Sequence, residues 1–299
     1  MRADPNYVAS LSLALNDSTK ASNDLVSQLS SGLRVSSLSD DPSAAAQSAQ
    51  LGTQISRIDT YIQTASNQSS MLQMTDATLG EVVTQLTSAI SLAVQGANGT
   101  LNSSNLQAIA QQVVGIRDQV LSLANTSYQG RYLFAGSQGS TKPFALDTTT
   151  SPATVTYNGD AKVQFIDTPG GQKIQVNLPG TSIFGSGSSG PLAALNQLIE
   201  DLSSGAPSSN LAADSAALSN ALGQVSMQRS LMNTSLSTIK STSTYAQTEE
   251  AQLKEQQGAL VAADPAAVAT QLKSTQIQYQ ALLGVVTALQ KVNLFDYLR

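Results

Sequence analysis

The sequence predicts a mainly α protein, an elongated coiled-coil-like helical bundle formed by N- and C-terminal segments, with a small β-rich insertion. Three observations carry this. Apolar residues alternate at spacings of three and four over long stretches at both ends of the chain. Asp-Pro pairs, Asp41-Pro42 and Asp264-Pro265, stand where helices would start. Between residues 131 and 190 the spacing shortens, and Asn-Gly, Pro-Gly-Gly and Gly/Ser clusters appear.

The first helix reads from Val8 through Leu11 and Leu15, across the polar Ser18 and Ser22, to Leu25 and Leu29. The second starts after Asp41, whose carboxylate can cap it, with Pro42 at the first helical position, where its missing N–H is harmless. Its seam is Leu51, Ile55, Ile58, Ile62, Ala65, Ser69, Leu72, Asp76, Leu79, Val83, Leu86, Ile90 and Ala93. That is more than forty residues, roughly 65 Å of helix at 1.5 Å per residue. Residues 95–104 read as a loop, with Ser104 or Asn105 as the cap of a third helix through Leu106, Ile109, Val113, Ile116, Val120 and Leu123. A sustained 3.5-residue spacing is the mark of packing along a narrow seam.

Around Ser127 the period changes. Val155–Tyr157 and Lys162–Ile166, joined through Asn158-Gly159, read as a β-hairpin, because Asn-Gly accepts the positive φ of a tight turn. Pro169-Gly170-Gly171 turns again into a strand from Lys173 to Leu178. Ser182–Gly190 reads as a flexible link. Helices return with Leu192, Leu195, Leu198 and Leu202. After the break at residues 205–209 comes a seam of Leu218, Leu222, Val225, Arg229, Met232, Leu236 and Ile239, continuing weakly to Leu253 and Leu260. The last helix carries Val268, Leu272, Thr275, Tyr279, Leu282, Val286 and Leu289. The expected organisation is residues 1–40 with 262–299 as paired terminal helices, 41–130 with 191–261 as a central helical bundle, and 131–190 as the β-rich insertion.

Composition narrows the function. The chain has 299 residues, no Cys, no His and no Trp. Disulfides, thiolate or imidazole metal sites and Ser-His or Cys-His catalysis are excluded. Charged residues make up 12% and the net charge is −5, with no run of Lys or Arg. A phosphate backbone needs clustered positive charge, so no nucleic-acid partner is expected. No run of eighteen apolar residues exists, so no membrane span is expected. Met1-Arg2-Ala3-Asp4-Pro5 lacks the apolar core of a secretory signal. The expectation is a cytoplasmic protein, or one exported without a cleaved signal. A polar surface of low charge gives little repulsion between copies, which favours assembly.

Motifs that mimic chemistry have simpler readings. Gly185-Ser186-Gly187-Ser188-Ser189-Gly190 fits G-x-G-x-x-G, but helical heptads follow it rather than a parallel strand ending in an acidic residue. Asp40-Asp41 beside Pro42 reads as a helix cap, and Glu249, Glu250 and Glu255 as a solvated face. The N-x-Ser/Thr triplets beginning at Asn16, Asn67, Asn98, Asn102, Asn125 and Asn233 are frequent by chance in a chain rich in Ser and Thr. No convergent constellation of catalytic groups is visible, so no enzyme and no cofactor is expected.

Leu29-Ser30-Ser31-Gly32-Leu33-Arg34-Val35 followed by Asp40-Asp41-Pro42 resembles the N-terminal signature of the flagellin superfamily. Asp-Asp-Pro is similar to its hook–filament junction branch (FlgL type), since flagellins usually carry Ala after the paired Asp. Gly115-Ile116-Arg117-Asp118-Gln119, Leu123-Ala124-Asn125 and Gly130-Arg131-Tyr132-Leu133-Phe134-Ala135-Gly136 resemble the junction proteins, as does Leu294-Phe295-Asp296-Tyr297-Leu298. The resemblance implies a structural adaptor in the hook–filament junction of the bacterial flagellum, secreted by type III export without a cleaved signal. Its implied partners are copies of itself in a ring, the other hook-associated protein, flagellin and a cytoplasmic export chaperone. The alternative is a flagellin that forms the filament itself. Arg131 and Tyr132, where helix meets β-insertion, are expected to brace that junction. The terminal seams, Leu11, Leu15, Leu25, Leu29, Leu272, Tyr279, Leu282, Val286 and Leu289, are expected to form the assembly interface, with residues 1–35 and 270–299 ordered only among neighbouring copies.

Overall fold

The computed structural model describes the backbone of residues 5–297 and the side chains of residues 9–288. Its elements, in chain order, are α1 (Pro5–Ser31), α2 (Pro42–Gly96), α3 (Ser103–Ala124), β1 (Ser127–Tyr128), β2 (Arg131–Tyr132), β3 (Phe144–Asp147), β4 (Thr154–Tyr157), β5 (Phe165–Asp167), β6 (Lys173–Gln175), α4 (Gly180–Phe184), α5 (Pro191–Ser204), α6 (Ser208–Val261) and α7 (Pro265–Tyr297). The chain forms two compact units, one of Met1–Ser56 with Glu249–Arg299 and one of Arg57–Thr248.

In the second unit, α2 and α6 pair antiparallel. The Tyr61 and Thr242 hydroxyls lie 2.6 Å apart, and Asp76 meets Arg229 further along. Every seventh residue of α2 from Ile58 to Ala93 is buried, and so is every seventh residue of α6 from Leu218 to Ala246. The heptad is therefore a real seam. A second row on α2, Tyr61, Thr75, Val82 and Ala89, is buried as well. Around α2 the core is thus wider than a two-helix seam. By length and composition α2 is apolar enough to cross a membrane. Its buried rows in the soluble core account for that apolarity.

Two charges sit in this seam. Arg229 Nε and Nη2 donate to Asp76 Oδ1 and Oδ2 at 2.7 and 3.2 Å, and Asn233 Nδ2 donates to Oδ1 at 2.9 Å. Gly80 leaves room for the guanidinium, since a Cβ there would lie 3.3 Å from Arg229 Nη2.

The β-rich segment is three separate two-stranded antiparallel hairpins, β1–β2, β3–β4 and β5–β6. The expected hairpin through Asn158-Gly159 does not form. β4 pairs upstream with β3, placing Phe144 opposite Tyr157, and β5 pairs with β6. Asn158 N–H donates to Pro143 O at 2.8 Å, and neither Asn158 nor Gly159 takes a positive φ. The tight turn falls earlier, at Gln129-Gly130, with φ of 50° and 77°. The Pro169-Gly170-Gly171 turn is present, and the strand after it is β6, shorter than expected. The 182–190 link is partly folded: α4 buries Ile183 and Phe184. Phe184 packs edge-on against Phe134 and Phe144, with ring centroids 5.2 and 5.3 Å away. The cap of α3 is Asn102, not Ser104 or Asn105; its side chain accepts from Asn105 N at 2.8 Å.

Candidate assembly interface

The first unit is built from the two ends of the chain. α1 packs along α7, and backbone hydrogen bonds clasp the turn after α1 to the turn before α7. Arg34 N donates to Val261 O at 2.7 Å, and Ala263 N donates to Gly32 O at 2.9 Å. The end of α1 thus meets the start of α7, so the helices run antiparallel.

The motif residues of the N-terminal signature build this clasp. Gly32, at φ 72°, ends α1 and bonds back to Gln28 O. That left-handed position is cheap only for glycine. The Ser31 hydroxyl accepts from Leu33 N at 3.2 Å. Arg34 Nη2 donates to Leu260 O at 2.9 Å, and Nη1 lies 3.4 Å from Asp41 Oδ2. Asp41 Oδ1 accepts from Ala44 N at 3.0 Å and caps α2 ahead of Pro42. Asp40 Oδ2 gathers the N–H groups of Ser36 and Ser37 at 3.0 and 2.8 Å. Those N–H bonds hold the Asp40 carboxyl below the usual range, and the Ala44 N–H does the same for Asp41. The paired Asp residues are structural anions. On α7, Asp264 repeats the cap, accepting from Ala266 N at 2.9 Å.

The second motif block organises the other unit. Arg117 is buried against Asp118, at 2.8 Å. The Asn125 amide bridges the chain: Oδ1 accepts from Phe144 N at 2.9 Å, and Nδ2 donates to Phe144 O at 3.0 Å. Gly130 takes the β1–β2 turn, Arg131 is exposed, Tyr132 is half-buried and Phe134 is fully buried. Gly136 lies so close to Asp160 that a Cβ would overlap the Asp160 carbonyl.

The predicted interface residues fall into two groups. Leu25 is buried, and Leu11, Leu15, Leu272, Tyr279, Leu282 and Val286 are half-buried. Leu29 is 44% exposed. The side chain of Leu289 lies outside the described residues. Sequence reasoning missed a second set, off the seam rows. Leu13, Val26, Ile277 and Val285 are 65, 50, 58 and 42% exposed. The seam itself is incomplete, since Ser18 Oγ is buried without a partner. A shallow polar groove of about 220 Å³ also opens between Ser22, Asn23, Gln276 and Tyr279.

The family model described as the bacterial flagellin N-terminal helical region matches residues 6–139, and that described as the bacterial flagellin C-terminal helical region matches residues 216–298. The chain belongs to the flagellin superfamily. Among its curated relatives in the superfamily, flagellar hook-associated protein 3 of Escherichia coli (strain K12) is 35% identical over 119 residues, 40% of this chain and 38% of that protein. Flagellar hook-associated protein 3 of Salmonella typhimurium is 31% identical over 160 residues, 53% of this chain and 49% of that protein. Flagellin A of Vibrio cholerae is 34% identical over 125 residues, 40% of this chain and 33% of that protein. The chain thus spans half or less of the length of these relatives. Among solved structures, Xanthomonas campestris FlgL superposes with a TM-score of 0.60 at 17% identity, over 71% of this chain and 99% of that one. Flagellar hook associated protein-3 of Legionella pneumophila gives 0.60 at 14% identity, over 71% and 97%. At such identities these two show the shared superfamily fold.

Proposed function

We propose that this chain is a structural, non-enzymatic adaptor of the bacterial flagellar hook–filament junction, joining the other hook-associated protein to the flagellin filament. The observation that carries this reading is the α1–α7 pair. It buries one seam and leaves a second set of apolar side chains, Leu13, Val26, Leu29, Ile277 and Val285, facing solvent. Apolar surface of that kind on paired helices calls for further helices beside it. Matches to hook-associated proteins of the same family support the junction as the place where those helices come from.

In this reading residues 1–40 and 262–299 line the inner, axial part of the assembly. The helices of 41–130 and 191–261 stand outside them, and residues 131–190 are outermost. Leu11, Leu15, Leu25, Leu29, Leu272, Tyr279, Leu282, Val286 and Leu289 hold the terminal helices in register for neighbouring copies in a ring. The protein is exported without a cleaved signal, its C-terminal helix held by a chaperone until then. Deleting the gene tests the reading. Electron microscopy should show hooks without filaments, with flagellin shed into the medium. Normal filaments on the deleted cells would overturn it.

A further inference from the structure

A cleft of about 450 Å³ opens in the second unit between α5, α6, the start of β4 and the glycine-rich loop before α5. Its polar lining is Thr154, Ser188, Gln197, Asp214, Asn220 and Gln224, over a floor of alanines from both helices. No Lys or Arg lines it, and Asp214 is its single ionisable residue. That carboxyl is 7% exposed, and its Oδ2 has no hydrogen-bond partner. The adjacent Asp201 on α5 is better provided for, since Gln197 Nε2 donates to its Oδ1 at 3.1 Å.

A buried carboxylate without a donor is costly unless a cation or a proton satisfies it. We propose that this cleft is a binding site for a protonated primary amine, with the Asp214 carboxylate as its anchor. An ammonium supplies three donors and no acceptor. Asp214 takes one of them, and the side-chain carbonyls of Asn220 and Gln224 with the hydroxyl oxygens of Thr154 and Ser188 are acceptors for the others. The alanine floor suits a methylene stem, which packs on apolar surface while its charged head meets polar groups. A hard divalent cation fits poorly. It needs about six or more oxygen ligands, and no cluster of three or more metal-binding side chains exists among the described residues.

In the empty cleft a proton stands in for the cation. Burial and the facing Asp201 carboxyl push the Asp214 carboxyl up to about 7. Below that pH, amine binding exchanges one cation for another: the neutral carboxyl loses its proton to solvent, and the carboxylate pairs with the ammonium. No bond other than the O–H is broken.

The test is isothermal titration calorimetry of the full chain with two probes, spermidine and the tripeptide Gly-Lys-Gly, in buffers of different protonation enthalpy. Saturable binding should release about one proton at pH 6 and almost none at pH 8.5. Asp214→Asn, which keeps the side-chain shape, should weaken binding about tenfold or more. Ala217→Phe fills the cleft from an exposed position and should do the same without disturbing the core. Binding of spermidine alone would identify free polyamines as the ligand, and binding of the tripeptide a lysine side chain of a protein. No saturable binding of either probe, binding without proton release at pH 6, or binding unchanged in both variants would overturn the proposal.

Discussion

Asp76 and Arg229 stand where a heptad ordinarily wants apolar side chains, and they find each other across 153 residues of sequence. The hydrogen bond from Arg229 holds the Asp76 carboxyl below its ordinary value. The pair therefore stabilises the fold above the unfolded carboxyl's pKa, about 4, and that contribution is lost as pH falls through the lower folded value. Asp76→Asn should cost about 1–2 kcal/mol at pH 7, allowing for screening of a partly exposed pair. Urea denaturation of parent and variant should converge near pH 2. Asp214 behaves oppositely. Its folded pKa lies above its unfolded one, so the folded chain binds the extra proton between about pH 4 and 7, and stability falls as pH rises through that window. Asp214→Asn should match the parent at pH 4 and exceed it at pH 8, and a variant equally or less stable at pH 8 would refute this. One of these pairs was legible in the sequence. Asp76 and Arg229 are the charged residues of their seams, of opposite sign, on helices expected to pair. Asp201 and Asp214 gave no such signal, because they meet across the turn between α5 and α6 at no motif spacing.

Among the elements, the central helices were the most readable, because a strict seven-residue repeat is not produced by local propensity alone. The same repeat separates buried from exposed leucines. Leu79→Ala, at a fully buried seam position, should cost about 2–5 kcal/mol. Leu231→Ala on α6, 57% exposed, should stay within about 0.5 kcal/mol of the parent. Thermal or urea melts distinguish them, and similar losses would mean that the seam is misassigned. The β-rich segment was less readable. Asn158-Gly159 carries a strong turn signal, yet the Tyr157 hydroxyl donates to Phe134 O, and Asn158 is tied back to Pro143, so β4 is committed to β3 before that turn begins. The 182–190 stretch looked like a linker by composition, but Ile183 and Phe184 fill the space between Phe134 and Phe144, a contact with no local signature. On α7, Val286 is half-buried on the seam row. Val286→Asp should block incorporation into flagella while leaving the second unit folded. Circular dichroism paired with a motility assay reads both, and normal incorporation would remove Val286 from the assembly interface.

At the scale of the whole molecule, the family signatures and the individual features of the chain separate. The two matched segments, residues 6–139 and 216–298, contain α1, α2, α3, α7 and most of α6. The unmatched 140–215 holds β3 to β6, α4, α5 and Asp214. The clasp of Gly32, Arg34 and Ala263 explains why the signature residues recur as a set: together they fix how one end of the chain returns beside the other. That arrangement was legible because each residue has a local role, as cap, left-handed stop or backbone donor. The exposed row of Leu13, Val26, Ile277 and Val285 was not, because single apolar residues off a heptad carry no periodic signal. These side chains also bear on the choice between adaptor and filament subunit. A filament subunit must offer surfaces that complement one another in successive copies without end, whereas an adaptor must meet unlike partners at its two ends and stop. The purified chain, concentrated under conditions that polymerise flagellin, should therefore remain soluble as small oligomers in sedimentation and electron microscopy. Long filaments of the chain alone would move it from the junction to the filament body.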